Sequence, residues 1–136
     1  MATEHIGDSI LGRLRADTLT RVRTFANRVL HVVETLESQG RSRRLLDQLT
    51  ASGCSVGANL YEADEAMSRA DFAKTLGIVI KELNETRFWL ELCVMREWIQ
   101  QDRLDPLLQE ALQLKKMFGA MITRTRKTAV GAKKQV

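Results

Sequence analysis

Three glutamates, Glu62, Glu82 and Glu85, are the residues of this 136-residue chain whose type and spacing come closest to metal chemistry. Helical bundles that bind two metal ions place glutamates on facing helices and complete each site with Glu-x-x-His pairs. The chain contains two histidines, His5 and His31, and neither follows a glutamate by three residues. No Ser-His-Asp, Cys-His or glycine-rich phosphate-binding pattern stands out. We therefore predict a protein with no catalytic site, no metal ion and no other cofactor.

The glutamates are better interpreted as structural residues. Partly buried carboxylates need hydrogen-bond donors, which Asn59, Arg69 or another donor can supply. Two of the glutamates also lie at helical spacing from a tryptophan, which suits an interface between helices. The candidates for a structural network or a subunit interface are Asn59, Glu62, Arg69, Ile78, Glu82, Glu85, Trp89 and Leu92.

The sequence indicates a cytoplasmic protein. Glu4 and Asp8 precede any apolar run, which is not typical of a secretory signal. The longest apolar runs hold about five residues, whereas a membrane-spanning helix needs about 20. Cys54 and Cys93 form no Cys-x-x-Cys pattern, so we expect two reduced and buried thiols.

The first two predicted helices are marked by apolar residues at a spacing of three to four. The first begins near Asp17 and ends near Gly40, and Ser42 can cap the second. Gly53 and Gly57 lie in the middle of the second helix, where each costs about 1 kcal/mol relative to alanine. Either the helix breaks there or a neighbouring helix approaches closely, and we favour close approach.

The third and fourth helices have recognisable start signals. Ser68, with Asp71 three residues later, resembles a capping box and opens a helix that we expect over residues 69–101. Asp105 and Pro106 then provide a cap and a first-turn proline for the fourth helix.

Four helices with short connections predict an all-α fold, an antiparallel up-and-down four-helix bundle. We expect a loosely ordered N-terminal segment over residues 1–15, the bundle over residues 16–128 and a disordered basic tail over residues 129–136.

The third helix carries two apolar stripes, although a helix in an isolated bundle needs only one. The core stripe is predicted to contain Phe72, Leu76, Val79, Leu83, Thr86, Leu90 and Val94. The second stripe contains Ile78, Glu82, Glu85, Trp89, Leu92 and Cys93. Because monomers rarely expose such a patch, we infer self-association.

Basic residues are concentrated near the C-terminus, since residues 115–136 contain seven of them and no acid. Such segments often bind phosphate groups. A second cluster lies at the turn between the first two helices, and an antiparallel bundle places the two clusters at opposite ends. The nucleic-acid-binding candidates are Arg41, Arg43, Arg44, Lys115, Lys116, Arg124, Arg126, Lys127, Lys133 and Lys134.

Three runs, Ser55–Ala63, Ser68–Phe72 and Lys81–Leu90, resemble the signature of the bacterial S23, or 23S rRNA intervening-sequence, proteins. The resemblance covers about residues 18–122. It implies a four-helix bundle that assembles as a homopentameric ring, without an established enzymatic activity. Accessory proteins of diversity-generating retroelements look similar in fold, and those bind nucleic acid and a reverse transcriptase.

Two functions follow as hypotheses. The first is a non-catalytic, homo-oligomeric scaffold or accessory factor that binds RNA or DNA through its basic patches. The second is a protein-interaction adaptor that docks a partner such as a reverse transcriptase through exposed residues including Phe88, with no direct role in nucleic-acid binding. A further alternative is that the basic tail only improves solubility.

Overall fold

The computed structural model describes the backbone of residues 12–135 and the side chains of residues 12–128. Its four α-helices are α1 (Ala16–Ser38), α2 (Arg43–Asp64), α3 (Arg69–Met95) and α4 (Gln101–Gln135). Strands are absent from residues 12–135. Each short connection reverses the chain, and the helices pack in sequence order with α1 returning to α4. The predicted all-α fold with four antiparallel helices is confirmed.

The turn between α1 and α2 has the geometry that its glycine predicts. Gly40 adopts a φ of 74°, which glycine reaches without steric cost. Its N–H donates to the Glu37 carbonyl at 2.9 Å, and the Arg41 N–H donates to the Leu36 carbonyl at 3.1 Å. These two bonds form a Schellman motif, which ends α1 as expected.

The predicted boundary between the third and fourth helices was wrong. α3 ends at Met95 rather than near residue 101, because Glu97 adopts a φ of 60° and closes a second Schellman motif without a glycine. α4 begins at Gln101, so Asp105 is not its cap and Pro106 lies inside the helix. Because no glycine follows Met95 in this turn, the usual stop signal for a helix is missing from the sequence.

At its far end α4 is longer than expected. The backbone of residues 129–135 continues the helix, whereas the sequence favours a disordered tail from residue 129. The side chains of residues 129–136 lie outside the part that the structure describes, as do residues 1–11. The expected loose structure of residues 1–15 and the expected disorder of residues 129–136 therefore stay predictions.

The core follows the predicted stripes with one exchange on α3. Cys93 is fully buried, although the sequence pattern placed it in the second stripe, and Val94 is only half-buried. Burial raises the pKa of the Cys93 thiol to about 11, which keeps it protonated at neutral pH. Cys54 is exposed, so the expectation that both thiols are buried was wrong for this residue.

Small residues bring α2 close to both of its neighbours. A Cβ atom built on Gly53 would lie 2.6 Å from Val29 Cγ1, so α1 and α2 approach too closely for a larger residue. On the other side, the hydroxyl groups of Ser52 and Thr86 lie 3.0 Å apart and hydrogen-bond in the α2–α3 contact. α2 is continuous through these positions, which confirms the close-approach interpretation.

An ion pair joins α1 to α4 and closes the bundle. Arg21 Nε and Nη2 donate to the two carboxylate oxygens of Glu110 at 2.8 and 2.7 Å, and Nη2 also donates to Gln113 at 3.0 Å. The hydrogen bond from Arg21 lowers the pKa of Glu110. This bidentate geometry is the stronger form of an arginine–carboxylate pair.

Gly53→Ala is expected to destabilise the protein by about 1–3 kcal/mol, because the new methyl group collides with Val29. Gly57→Ala is the matched control, since its Cβ atom would lie an ordinary 3.7 Å from Val22. It should stabilise the helix by up to about 1 kcal/mol. Denaturant unfolding measures both. Adding Val29→Ala to Gly53→Ala should cost less than the sum of the two changes, and strict additivity would contradict the proposed collision.

Glu110→Gln is expected to lower the free energy of unfolding at pH 7 by about 1 kcal/mol, a modest value because the Arg21 side chain is 37% exposed. The folded state lowers the pKa of Glu110 below its ordinary 4.5. The stabilisation is therefore present above that pH and disappears as pH falls through the lower, folded-state value. Gln113→Ala, an uncharged control, should show a difference that does not change over this range.

Candidate nucleic-acid interface

Basic side chains from three parts of the chain meet at one end of the bundle, where α2 turns into α3 and α4 approaches its C-terminus. We call this cluster the basic end. Its described residues are Arg13, Arg15, Arg69, Lys74, Arg124, Arg126 and Lys127. Only the three residues on α4 are predicted nucleic-acid-binding candidates, because the other four are scattered along the sequence.

Asp64 holds the N-terminal part of the basic end in place. This buried carboxylate accepts hydrogen bonds at Oδ1 from the backbone N–H groups of Arg13 at 2.9 Å and Leu14 at 2.7 Å. Arg13 Nε also donates to the Ala66 carbonyl at 2.7 Å. The segment before α1 is therefore fixed against the α2–α3 turn, although the sequence contains no signal for this contact.

A small cleft lies beside this segment. Arg13, Arg15 and Arg124 line it, and its volume is about 200 Å³. Arg15 is partly offset by Asp17, whose carboxylate lies 3.3 Å away. The cleft nevertheless brings three guanidinium groups from α4 and the N-terminal segment to one surface. Guanidinium groups match the geometry of phosphate oxygens.

A larger groove runs between α3 and α4 next to the cleft. Its volume is about 690 Å³, and the charged residues that line it within the described part are all basic. They are Arg69, Lys74, Lys81 and Arg126. We call this surface the α3–α4 groove. It extends the positive surface of the basic end along the side of the bundle.

The remaining candidates on α4 contribute less to this surface. Lys115 is half-buried and Lys116 is exposed. Both lie closer to the N-terminus of α4 than the α4 residues that line the cleft. Lys133 and Lys134 lie on the helical backbone of α4, and their side chains are outside the described part. The basic candidates after residue 114 therefore do not form one continuous described cluster.

The cluster at the α1–α2 turn lies at the opposite end of the bundle, as predicted. Arg43 forms ion pairs with Glu37 at 2.8 Å and Asp47 at 3.2 Å, and Arg41 stacks over Trp98 with 4.7 Å to the ring centroid. Arg44 is exposed. Two of its three arginines have partners within the chain. At the basic end Arg13 and Arg15 also have partners, but the other five basic side chains form no ion pair or hydrogen bond within residues 12–128, so the α1–α2 cluster is the weaker phosphate site.

Within residues 12–128, neither Asn59 nor Arg69 hydrogen-bonds to the three glutamates, and another donor bonds to one of them. Asn59 donates to the carbonyl of Ser55 in its own helix, and Arg69 lines the α3–α4 groove instead of contacting a glutamate. Glu85 accepts a hydrogen bond from Trp89 Nε1 at 3.3 Å. The pKa of Glu82 is raised, first by burial and then by Glu85. The Asn59 amide is therefore engaged within α2, with the Ser55 carbonyl, rather than with a glutamate.

The predicted second stripe of α3 is only partly covered by the chain itself. Ile78 is 37% exposed and Phe88 is 52% exposed. Trp89 and Leu92 are half-buried, and Glu62 is exposed on α2. This stripe therefore remains a candidate interface, with Phe88 added to the residues that the sequence pattern placed in it.

Two further kinds of feature are absent from the described part of the chain. Within it, no group of three or more His, Cys, Asp or Glu residues is placed to hold a metal ion. None of its helices combines the length and apolar character that crossing a membrane requires.

Comparisons with other proteins identify relatives by sequence and by fold. Residues 16–120 match the family model described as 23S rRNA-intervening sequence protein. A crystal structure of a protein with unknown function from the S23 ribosomal protein family of Bacteroides thetaiotaomicron is 32% identical, with a TM-score of 0.74. The match covers 77% of this chain and 97% of that one. No curated protein matches the chain.

Asp64→Ala is expected to destabilise the protein by about 1–3 kcal/mol, because the buried Leu14 N–H loses its acceptor and the Arg13 N–H retains only the backbone carbonyl of residue 64. Hydrogen exchange at the Leu14 amide should accelerate, since that amide donates to Asp64 Oδ1 at 2.7 Å. Asp64→Asn keeps an acceptor oxygen and should retain most of the protection. Glu65→Ala, an exposed neighbour, is the control. An unchanged Leu14 exchange rate in Asp64→Ala would show that the carboxylate does not anchor the segment.

Proposed function

Because the chain belongs to the 23S rRNA-intervening sequence protein family, for which no enzymatic activity is established, we propose its function from the properties of its surface. The proposed function is that of a non-catalytic, homo-oligomeric scaffold or accessory factor that binds nucleic acid. The observation that carries this proposal is the convergence of basic side chains at the basic end. We propose a cytoplasmic location, in keeping with two cysteines that form no disulfide.

The chemistry of the basic end favours contacts to the phosphate backbone. Its charged groups come from the N-terminal segment, α3 and α4, so they are spread over a surface rather than aligned for one base edge. Phe72, the aromatic residue that lines the cleft, is buried and cannot stack on a base. We therefore propose binding with little sequence preference, in which release of counterions from the nucleic acid provides most of the affinity.

An oligomer would carry one copy of the basic end on each subunit. The family resemblance implies a ring of five subunits, and we include homo-oligomerisation, with that number, in the proposal. The exposed Ile78 and half-buried Trp89 and Leu92 support association through α3. Several copies of one basic end on one particle would bind a long RNA or DNA more tightly than a single copy can.

The combined change Arg124→Ala, Arg126→Ala and Lys127→Ala is expected to weaken binding to single-stranded RNA and DNA of random sequence. Binding isotherms over a salt series measure the effect. Each phosphate that the protein no longer neutralises should make the slope of log affinity against log salt shallower by about 0.7 for single strands. If all three cations contact phosphates, their removal should change the slope by about two.

Arg41→Ala, Arg43→Ala and Arg44→Ala together form the matched control, with the same change in charge at the opposite end. We expect a smaller decrease in affinity, since Arg43 and Arg41 have partners within the chain. Equal decreases in the two variants would show that net charge, not the basic end, governs binding. A wild-type slope in the first variant would reject the proposed interface.

A protein-interaction adaptor is the second candidate. Its supporting observation is the exposed Phe88, 52% accessible, since aromatic residues often anchor protein interfaces. The partner in that case would be another protein, such as a reverse transcriptase, and nucleic acid would play no direct part. Wild-type protein that binds neither RNA nor DNA at low salt would favour this candidate.

A further inference from the structure

The α3–α4 groove has a floor of small and apolar residues. Ala70, Ala73, Gly77 and Ile78 line it from α3. A Cβ atom built on Gly77 would meet no atom of the described residues within 4 Å, so packing within the described part gives no reason for a glycine here. A glycine inside a helix costs about 1 kcal/mol, and it allows another chain to approach the helix closely.

The same outer face of α3 continues past the groove with the opposite character. Residues 74, 78, 81, 85, 88 and 92 follow one another at spacings of three or four and share this face. The groove occupies its first half. The second half, which we call the acidic-aromatic half, contains Glu82, Glu85, Phe88, Trp89 and Leu92.

Phe88 is the most prominent residue of the acidic-aromatic half. It is half exposed, and its ring packs edge-on against Trp89 with 5.0 Å between the ring centroids. Trp89 in turn packs partly on the core and donates to Glu85. Phe88 is therefore an exposed aromatic side chain that packs against Trp89, and an aromatic residue held in this way suits an interface anchor.

We propose that the acidic-aromatic half of one copy docks onto the α3–α4 groove of a second copy, with Phe88 inserted over Gly77. This inference rests on the homo-oligomeric part of the proposed function and assigns the two surfaces that form the contact. Glu82 and Glu85 of one copy then lie near Lys74 and Lys81 of the other.

Charge complementarity selects a second copy as the occupant. Among the residues that the structure describes, the groove has four basic residues on its rim and no acidic one. Glu82 and Glu85 form no ion pair within the described part of the chain. Partial burial raises the pKa of Glu82, and the neighbouring Glu85 carboxylate raises it further. The chain thus carries both halves of a matched acidic and basic surface.

The two surfaces are different from each other, which has a consequence for symmetry. When the contact is not reciprocated by the same two copies, unlike patches join copies head to tail, and such contacts form closed rings when the rotation between successive copies closes. The proposed contact is therefore compatible with a ring. The cations at Arg124 and Lys127 do not line the groove, so they remain available outside the contact.

Phe88→Ala is expected to weaken self-association about tenfold or more, since the anchor of the contact is removed. Sedimentation velocity over a range of concentrations measures this. Met67→Ala is the control, because Met67 is also an exposed hydrophobic residue but lies off α3. Phe88→Ala protein that assembles like wild type would overturn the proposal.

Charge reversal tests the pairing of the two surfaces. Lys74→Glu with Lys81→Glu, or Glu82→Lys with Glu85→Lys, should each weaken association about 100-fold or more. The chain that carries all four changes has a complementary pair again and should recover assembly. Circular dichroism confirms that each variant remains helical. If each pair of changes disrupts assembly and the variant with all four changes also fails to assemble, the proposed pairing is overturned.

Filling the groove tests its role directly. Gly77→Leu should block the contact, whereas Gly119→Leu, at another open helical glycine that does not line the groove, should leave it intact. A wild-type chain that stays a 15.4 kDa monomer removes the assembly part of the proposed function together with this inference. A wild-type assembly unaffected by Gly77→Leu removes this inference alone, and the salt-series experiment decides nucleic-acid binding separately.

Discussion

The close approach of α2 to both of its neighbours is the constraint on which the rest of this structure depends. Gly53 lies against Val29 of α1, and Ser52 meets Thr86 of α3. Small side chains at these points let two helix surfaces meet with little between them. α4 approaches α1 less closely, and the Arg21–Glu110 pair bridges that side.

This packing determines where the ends of the helices come together. The α1–α2 and α3–α4 connections share one end, where Gln39 Nε2 donates to the Trp98 carbonyl at 3.0 Å. The opposite end receives the segment before α1, which Asp64 holds, and the end region of α4. Like charges can gather there because their side chains reach water, which screens their repulsion. The positive surface is therefore a product of chain topology as much as of composition.

α3 shows how one helix can serve both folding and assembly. Its inner face is occupied by the core, whereas its outer face changes from basic and small to acidic and aromatic along its length. Folding of a single chain requires only the inner face. The outer face has room for Gly77 and an exposed Phe88, two features that packing within residues 12–128 does not explain.

Much of the fold followed from the sequence alone. Apolar periodicity predicted four helices and most of the core face of α3, because the 3.6-residue repeat is a local property of the chain. The glycine at position 40 marked a real helix end. Where a helix ended without such a marker, at Glu97, the predicted boundary was wrong, and Cys93 was assigned to the wrong face.

The sequence by itself therefore determined the helices, their order and the excess of basic residues near the C-terminus. Only the tertiary structure decided that Arg13, Arg69 and Arg126 share one end, and that Asn59 and Arg69 do not serve the glutamates. The physical reason is range. Helix formation depends on residues three or four positions apart, whereas a surface depends on which distant segments the packing of the core brings together.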